Sequence, residues 1–277
     1  MSERLITVLG SGGFIGAHLV RHIEALGIRC QAPLRGDSHW LEQPLGDVVY
    51  AIGLTADFRS RPLDTVEAHV CVLRQLIAQG NFRSLTYLSS TRVYSGSERT
   101  DEAAKLQVDP NDASDLYNLS KLMGESLCLH GGHALMKVAR LANIVGLRPD
   151  PDIFIDQLLE EGMRTGAVHL RTALQSKKDY LYIDDAVDLL VRMALSDATG
   201  IFNVASGEGV SNAQVLAALE QEMGFTTSVA EGAPVWEFRA IDMAKTTQTF
   251  GFAPHKFDNY FPQFLRNYRQ KKGLEST

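Results

Sequence analysis

Short apolar runs rich in β-branched residues alternate along the chain with stretches in which apolar positions recur every three or four residues. Residues 5–9, 28–34, 48–53, 85–89 and 135–141 read as strands, and 15–26, 63–78 and 116–129 as helices. This alternation predicts βαβ units on a parallel sheet, an α/β Rossmann-like doubly wound fold. After Asn143 the pattern loosens: a break falls at 148–152, a helix-like stretch at 153–162, a strand and helix over 179–195, a strand at 201–205 and a helix at 212–223. The expected organisation is a dinucleotide-binding domain over 1–145, to which 179–205 returns. A smaller C-terminal substrate-binding lobe is expected from 146–178 and 206–277.

Composition narrows the classes. At 277 residues the chain buries a sizeable core without staples. Lys+Arg of 27 against Asp+Glu of 33 gives a net charge of -6 and no basic run, so no nucleic-acid partner is expected. Cys30, Cys71 and Cys128 are scattered, without metal-ligand spacing, and predict reduced thiols and no metal site. No basic segment followed by an apolar core opens the chain, and no apolar stretch reaches about 18 residues. A cytoplasmic protein with no membrane contact is expected.

The first predicted strand runs into Gly10-Ser11-Gly12-Gly13-Phe14-Ile15-Gly16 and then a helix. A pyrophosphate needs this arrangement, because backbone must approach it closely and a helix N-terminus offers unpaired N–H groups. An acid normally follows about 20 residues on to hold the ribose hydroxyls of NAD. Leu34 occupies that place and Arg35 follows, so a 2′-phosphate is tolerated and could pair with Arg35. NADP(H) is therefore the preferred cofactor, with NAD(H) possible; a merely solvated Arg35 is the competing reading.

Tyr117 and Lys121 stand at i and i+4 of a predicted helix, so the ammonium lies near the phenol. Proton exchange near neutral pH needs a phenol pKa below its usual ~10, and a close cation lowers it. One strand upstream, Ser89-Ser90-Thr91-Arg92-Val93-Tyr94 ends a run whose carboxyl end faces the ligand crevice. Ser90 could hydrogen-bond both the phenol and a carbonyl, while Ser89 reads as a strand-end residue.

Together these motifs resemble the extended short-chain dehydrogenase/reductases of the nucleotide-sugar epimerase/dehydratase group. Gly10, Gly13 and Gly16 match the family's glycine spacing, and Val48 to Leu54, including Ile52 and Gly53, resembles its fourth strand. Tyr117-Asn118-Leu119-Ser120-Lys121 resembles its catalytic helix, Arg140 to Asn143 a substrate-side segment, and Lys178-Asp179-Tyr180 its Arg-Asp-Tyr stretch. The resemblance implies Tyr117 as acid/base, Lys121 on the nicotinamide ribose and lowering the Tyr117 pKa, and Ser90 on the carbonyl. It implies Thr91, Asn143, Lys178 and, more weakly, Arg239 as substrate-binding, and a homodimer through helices 63–78 and 116–129.

Departures from the family pattern carry information. Only about a dozen residues separate Arg35 from Val48, where a third strand and helix are usual, so the adenine site is expected to be reduced or rebuilt. His69 stands where asparagine is common and reads as a helix-face residue; Thr55 stands where some epimerases carry lysine. Asp184 and Asp185 open a helix and read as caps. Dehydratases place an Asp-Glu pair after the catalytic hydroxyl residue, where this chain has Thr91 and Arg92. The expected activity is reduction of a 4-keto nucleoside-diphosphate sugar. The alternatives are a 4-epimerase using the same triad and, from another class, a catalytically silent cofactor-sensing regulator.

Overall fold

The computed structural model describes residues 4–37, 39–55, 57–148, 154–236 and 238–275. Six parallel strands form the main sheet: β1 (Leu5–Leu9), β2 (Arg29–Gln31), β3 (Pro44–Tyr50), β4 (Asn81–Ser90), β5 (Met136–Leu141) and β10 (Gly200–Val204), in the order β10-β5-β4-β3-β1-β2. Helices cover both faces, which is why the central strands read as nearly unbroken apolar runs. On one face α1 (Phe14–Ala25) and α6 (Ile183–Leu195) pack over Ile6, Val8 and Ala139. On the other, α3 (Val72–Gln79) and α4 (Asp115–His130) cover Val48, Tyr50 and Val138.

The expected strand at 28–34 shrinks to the three residues of β2, because Pro33 interrupts it and nothing pairs on its outer side. Between β2 and β3 the chain makes a turn and one 3-10 turn, His39–Glu42, whose Trp40 plugs the core beneath. The helix expected over 63–78 is three pieces: α2 (Pro62–Val66), a π-helical turn at Glu67–Cys71, and α3. A π-turn displaces one residue from the helical register and often marks a functional site; here it points His69 inward, with no exposure.

A second core collects Ile155 and Leu159 of α5 (Phe154–Thr165), Val215 and Leu219 of α7 (Asn212–Met223), and Phe261 and Leu265 of α9 (Phe257–Glu275). Short strand pairs tie it together. β6 (Asn143–Val145) runs parallel to β9 (Tyr180–Tyr182), and β7 (Ala167–Leu170) runs parallel to β12 (Thr226–Val229). β8 (Lys177–Lys178) and β11 (Val210–Ser211) are antiparallel. α7 starts on a capping box, Ser211 with Gln214, and stops at left-handed Gly224. A short helix, α8 (Ala244–Phe250), packs near β10. Of the break expected at 148–152, residues 149–152 lie outside the described residues, as does Ile153.

Candidate active site

Strand order reverses between β1 and β3, and ligands of doubly wound sheets bind outside the carboxyl ends of the strands at that point. A crevice of about 2660 Å³ opens there and runs from the glycine turn past Tyr117 to Arg239. Gly10 has φ +90, and a Cβ on Gly16 would lie 2.2 Å from the Gly10 carbonyl oxygen, so only glycine lets the turn close. Gly13 caps α1 without any side-chain hydrogen bond, leaving the first N–H groups of the helix toward the crevice. This cradle fits a dinucleotide diphosphate, and Phe14 and Ile15 begin the helix above it.

The far end of the cradle is sparse. Leu34 is 79% exposed and Arg35 is exposed beside it, in a turn closed by the Asp37 N–H donating to the Leu34 carbonyl. The Asp37 carboxylate accepts from the His39 N–H at 2.9 Å.

At the centre, Tyr117 is buried between Phe58, with ring centroids 5.2 Å apart, and His69, edge-on at 5.3 Å. Lys121 is buried one turn on, its Nζ donating to the Leu88 carbonyl at 2.9 Å and lying 5.8 Å from the Tyr117 ring centroid. Burial pushes the Lys121 ammonium down to about 7 against the opposing pull of Glu125. Burial also raises the Tyr117 phenol above its ordinary value, opposed by a hydrogen bond from Ser90 and by the Arg92 charge. The expected lowering of that phenol by Lys121 is therefore corrected: desolvation dominates, and the groups that counter it are Ser90 and Arg92. Ser90 ends β4, where its Oγ also accepts from the Arg92 N–H at 3.2 Å. Such an arrangement can hold a neutral phenol and a hydroxyl against one carbonyl oxygen.

His69 was legible only as a helix-face residue, and the structure gives it more. Its Nε2 accepts from the Leu54 N–H at 3.2 Å, and its Nδ1 lies 2.8 Å from Ser120 Oγ, which donates to the Tyr117 carbonyl at 2.9 Å. The accepted bond at Nε2 puts the proton on Nδ1, so a neutral ring ties the Ile52-Gly53-Leu54 strand end to the turn of α4 that carries Tyr117. Burial, with the nearby Lys121, pushes its pKa down to about 2. A Cβ on Gly53 would meet His69 Nε2 at 3.1 Å and Lys121 Nζ at 3.4 Å.

Below this site lies a buried network. Arg140 bonds Glu125 through two nitrogens, the closest pair 2.6 Å apart, and Ser89 Oγ donates to the same carboxylate at 2.6 Å. Arg140 also donates to the Tyr94 hydroxyl, which donates to Asn203 Oδ1 at 2.8 Å. Asn203 Nδ2 in turn reaches the Thr100 and Asp242 carbonyls, both at 2.8 Å.

The remaining expected residues spread along the crevice wall. Thr91 Oγ donates to the Leu141 carbonyl at 3.3 Å, and Asn143 Nδ2 donates to the Asp179 carbonyl at 2.9 Å. Lys178 stacks its ammonium 4.1 Å above the Phe154 ring, and Arg239 is exposed at the outer end. The Asp179 carboxylate accepts from the Ser206 and Gly207 N–H groups, and Asp185 holds His255 at 2.7 Å. Trp236 and Phe238, 56% and 40% exposed on the same wall, carried no sequence signal, because isolated aromatics outside a periodic element are indistinguishable from core. Among the described residues no group of three or more His, Cys, Asp or Glu is placed to hold a metal, and no helix is long and apolar enough to cross a membrane.

The fold is Rossmann-like, with the crevice at the carboxyl ends of its strands. The family model for the NAD dependent epimerase/dehydratase family matches residues 6–205, and the chain belongs to that family. Among solved structures it is similar to MoeE5, seen with UDP-glucose and NAD, at 19% identity and TM-score 0.79 over 96% of this chain and 99% of that one. TunA, an NAD-dependent NDP-hexosamine 5,6-dehydratase, aligns at 22% identity and TM-score 0.80 over 96% and 98%. UDP-glucuronic acid 4-epimerase from Bacillus cereus, seen with UDP-glucuronic acid and NAD, aligns at 19% and 0.77 over 96% and 99%. A search of curated protein sequences gave no match.

Proposed function

We propose that the chain is a nicotinamide-dependent oxidoreductase that reduces a 4-keto nucleoside-diphosphate sugar, preferring NADP(H) to NAD(H). The observation that carries this reading is the meeting of Ser90, Tyr117 and Lys121 in one crevice with the glycine cradle. Gly10, Gly13 and Gly16 hold the dinucleotide diphosphate, flanked by Phe14, Ile15, Ile52, Gly53 and Leu54. When bound, the dinucleotide supplies the hydride. Tyr117 gives its proton to the carbonyl oxygen, so that the ketone becomes a secondary alcohol, and Ser90 donates a hydrogen bond to the charge developing there. Lys121 bonds the ribose, and Ser90 steadies the phenolate left behind.

Burial favours the protonated form of the Tyr117 phenol, the form a proton donor needs, which is consistent with a reduction step. The bare surface at Leu34 and Arg35 suits a cofactor that exchanges between turnovers. Thr91, Asn143, Lys178 and Arg239 line the sugar and diphosphate side, with 146–178 and 206–277 as the substrate lobe and 1–145 with 179–205 as the cofactor domain. Leu63, Met123 and Leu129, between 43% and 84% exposed on α2 and α4, support a homodimer through those helices.

The test is incubation with NADPH or NADH and a panel of nucleoside-diphosphate 4-keto sugars, following loss of reduced-nicotinamide absorbance and the product mass. Cofactor consumption with a product heavier by two hydrogens supports the reading. Interconversion of C4 epimers with no net consumption and a retained cofactor would replace it with 4-epimerase. Turnover of neither kind would favour a cofactor-sensing regulator. Formation of a 4,6-dehydrated product at enzyme-like rate would contradict the roles given to Thr91 and Arg92, neither of which can act as the needed acid or base.

A further inference from the structure

Among the described residues, Arg92 is a cation beside Tyr117 without an anionic partner. It sits in the 3-10 turn Thr91–Tyr94 that follows β4, two residues after Ser90, and is half-buried. Its guanidinium carbon lies 5.6 Å from the Tyr117 ring centroid and 5.0 Å from that of Phe58. Arg59 covers the same Phe58 ring at 4.5 Å, so two guanidinium groups flank one buried aromatic.

Among the described residues, the Arg92 guanidinium has no hydrogen-bond or ion-pair partner. The nearest acids are committed elsewhere: Asp115 accepts from the Asp109 N–H and from Asn118, and Asp112 accepts from the Ser114 N–H. Arg59 donates to Ser114 Oγ at 2.9 Å and adds a like charge. Burial and then that Arg59 charge both disfavour the charged form of Arg92, yet an arginine stays protonated. A partly desolvated charge in this position is costly until an anion meets it.

We propose that Arg92 is the carboxylate-recognition residue of the substrate site, selecting a sugar oxidised at C6. This rests on the nucleotide-sugar reading above and narrows its substrate class to uronates. A pyranose held with its C4 oxygen at Tyr117 and Ser90 has C3 and C5 beside that carbon, whereas its diphosphate leaves from C1 across the ring. C3 carries a neutral hydroxyl and C5 carries C6, so the anion a hexose can bring next to the phenol is a C6 carboxylate, whose planar oxygens match the guanidinium fork. Lys178 and Arg239, farther along the wall, remain for the diphosphate.

The experiment measures affinity by calorimetry for UDP-glucose and UDP-glucuronate, and for the corresponding dTDP pair, with wild type, Arg92→Met and Arg92→Lys. Methionine keeps an apolar stem on Phe58, and thermal melting checks the fold of each variant. Wild type is expected to bind the uronate ~10- to 100-fold more tightly than the hexose, the range of a charge-assisted pair. Arg92→Met brings that ratio toward one, and Arg92→Lys restores part of it. An equal loss for hexose and uronate would reassign Arg92 to the diphosphate and overturn the proposal, as would a wild-type ratio near one. Binding of neither sugar type would overturn the nucleotide-sugar reading itself. If Arg92→Met fails to fold, the wild-type ratio and Arg92→Lys still decide the question.

Discussion

Around Tyr117, side chains from α4, β4 and the π-helical turn interlock. Around Arg35 the crevice wall is three residues of strand and a turn. His69 alone links Leu54, Ser120 and, through Ser120, the Tyr117 backbone, while Leu34 points into solvent. The difference teaches where positional accuracy is required. On the proposed function, proton transfer tolerates little displacement and its groups are over-determined by packing, whereas a ribose and adenine would be held by a looser wall.

Four measurements test that contrast. Tyr117→Phe should lower turnover by about 10²- to 10⁴-fold while leaving cofactor affinity nearly intact, as judged by cofactor fluorescence titration. Lys121→Met should lose both, and a near-normal rate in Tyr117→Phe would send the proton by another route. Gly16→Ala, whose new Cβ would press on the Gly10 carbonyl, should weaken dinucleotide binding by roughly a hundredfold through loss of the close backbone approach. Unchanged affinity would mean the cradle is not where the diphosphate lies.

The third measurement is acid sensitivity. His69 is held near pKa 2 in the folded chain against about 6.5 unfolded, so below pH 6.5 the unfolded state takes up a proton that the folded state refuses. Stability is then lost as pH falls, by about 2 kcal/mol between pH 7 and pH 5 from this one group. Urea melts of wild type and His69→Asn at both pH values should show that increment only in wild type. The smallest effect is expected at the sparse end. Arg35→Ala should cost NADPH only a few-fold in affinity, as for an exposed ion pair, and leave NADH untouched. Tighter binding of NADH by wild type would remove the stated cofactor preference.

Much of this is legible in the sequence. α7 begins and ends where its pattern does, at Asn212 and Met223, because a capping box and a left-handed glycine mark both ends locally. The i, i+4 spacing of Tyr117 and Lys121 and the strand-end Ser90 needed only helical and strand periodicity. What stayed hidden depended on distant partners. His69 meets Leu54 and Ser120, 15 and 51 residues away, and nothing in the local sequence around position 69 marks that pairing. The two-, three- and four-residue strand pairs outside the main sheet are too short to show a period. α9 buries an apolar stripe, Phe257, Tyr260, Phe261, Phe264, Leu265 and Tyr268, but no element was expected there, and Pro262 inside the helix weakens its local signal.

The chain of bonds from Glu125 through Arg140 and Tyr94 to Asn203 has a consequence for biosynthesis. Its last links are made by Asn203 on β10 and by the carbonyl of Asp242, which leave the ribosome long after β4 and α4. Until they arrive, the Tyr94 hydroxyl has no acceptor in Asn203, and the floor beneath the crevice lacks its far wall. A nascent chain of the first 145 residues thus holds the glycine turn and α4 in sequence but not their final register. Loop closure over such separations makes the last step slow. The site is expected to be completed only once β10 and Asp242 have emerged and folded, when their ordering draws the floor shut.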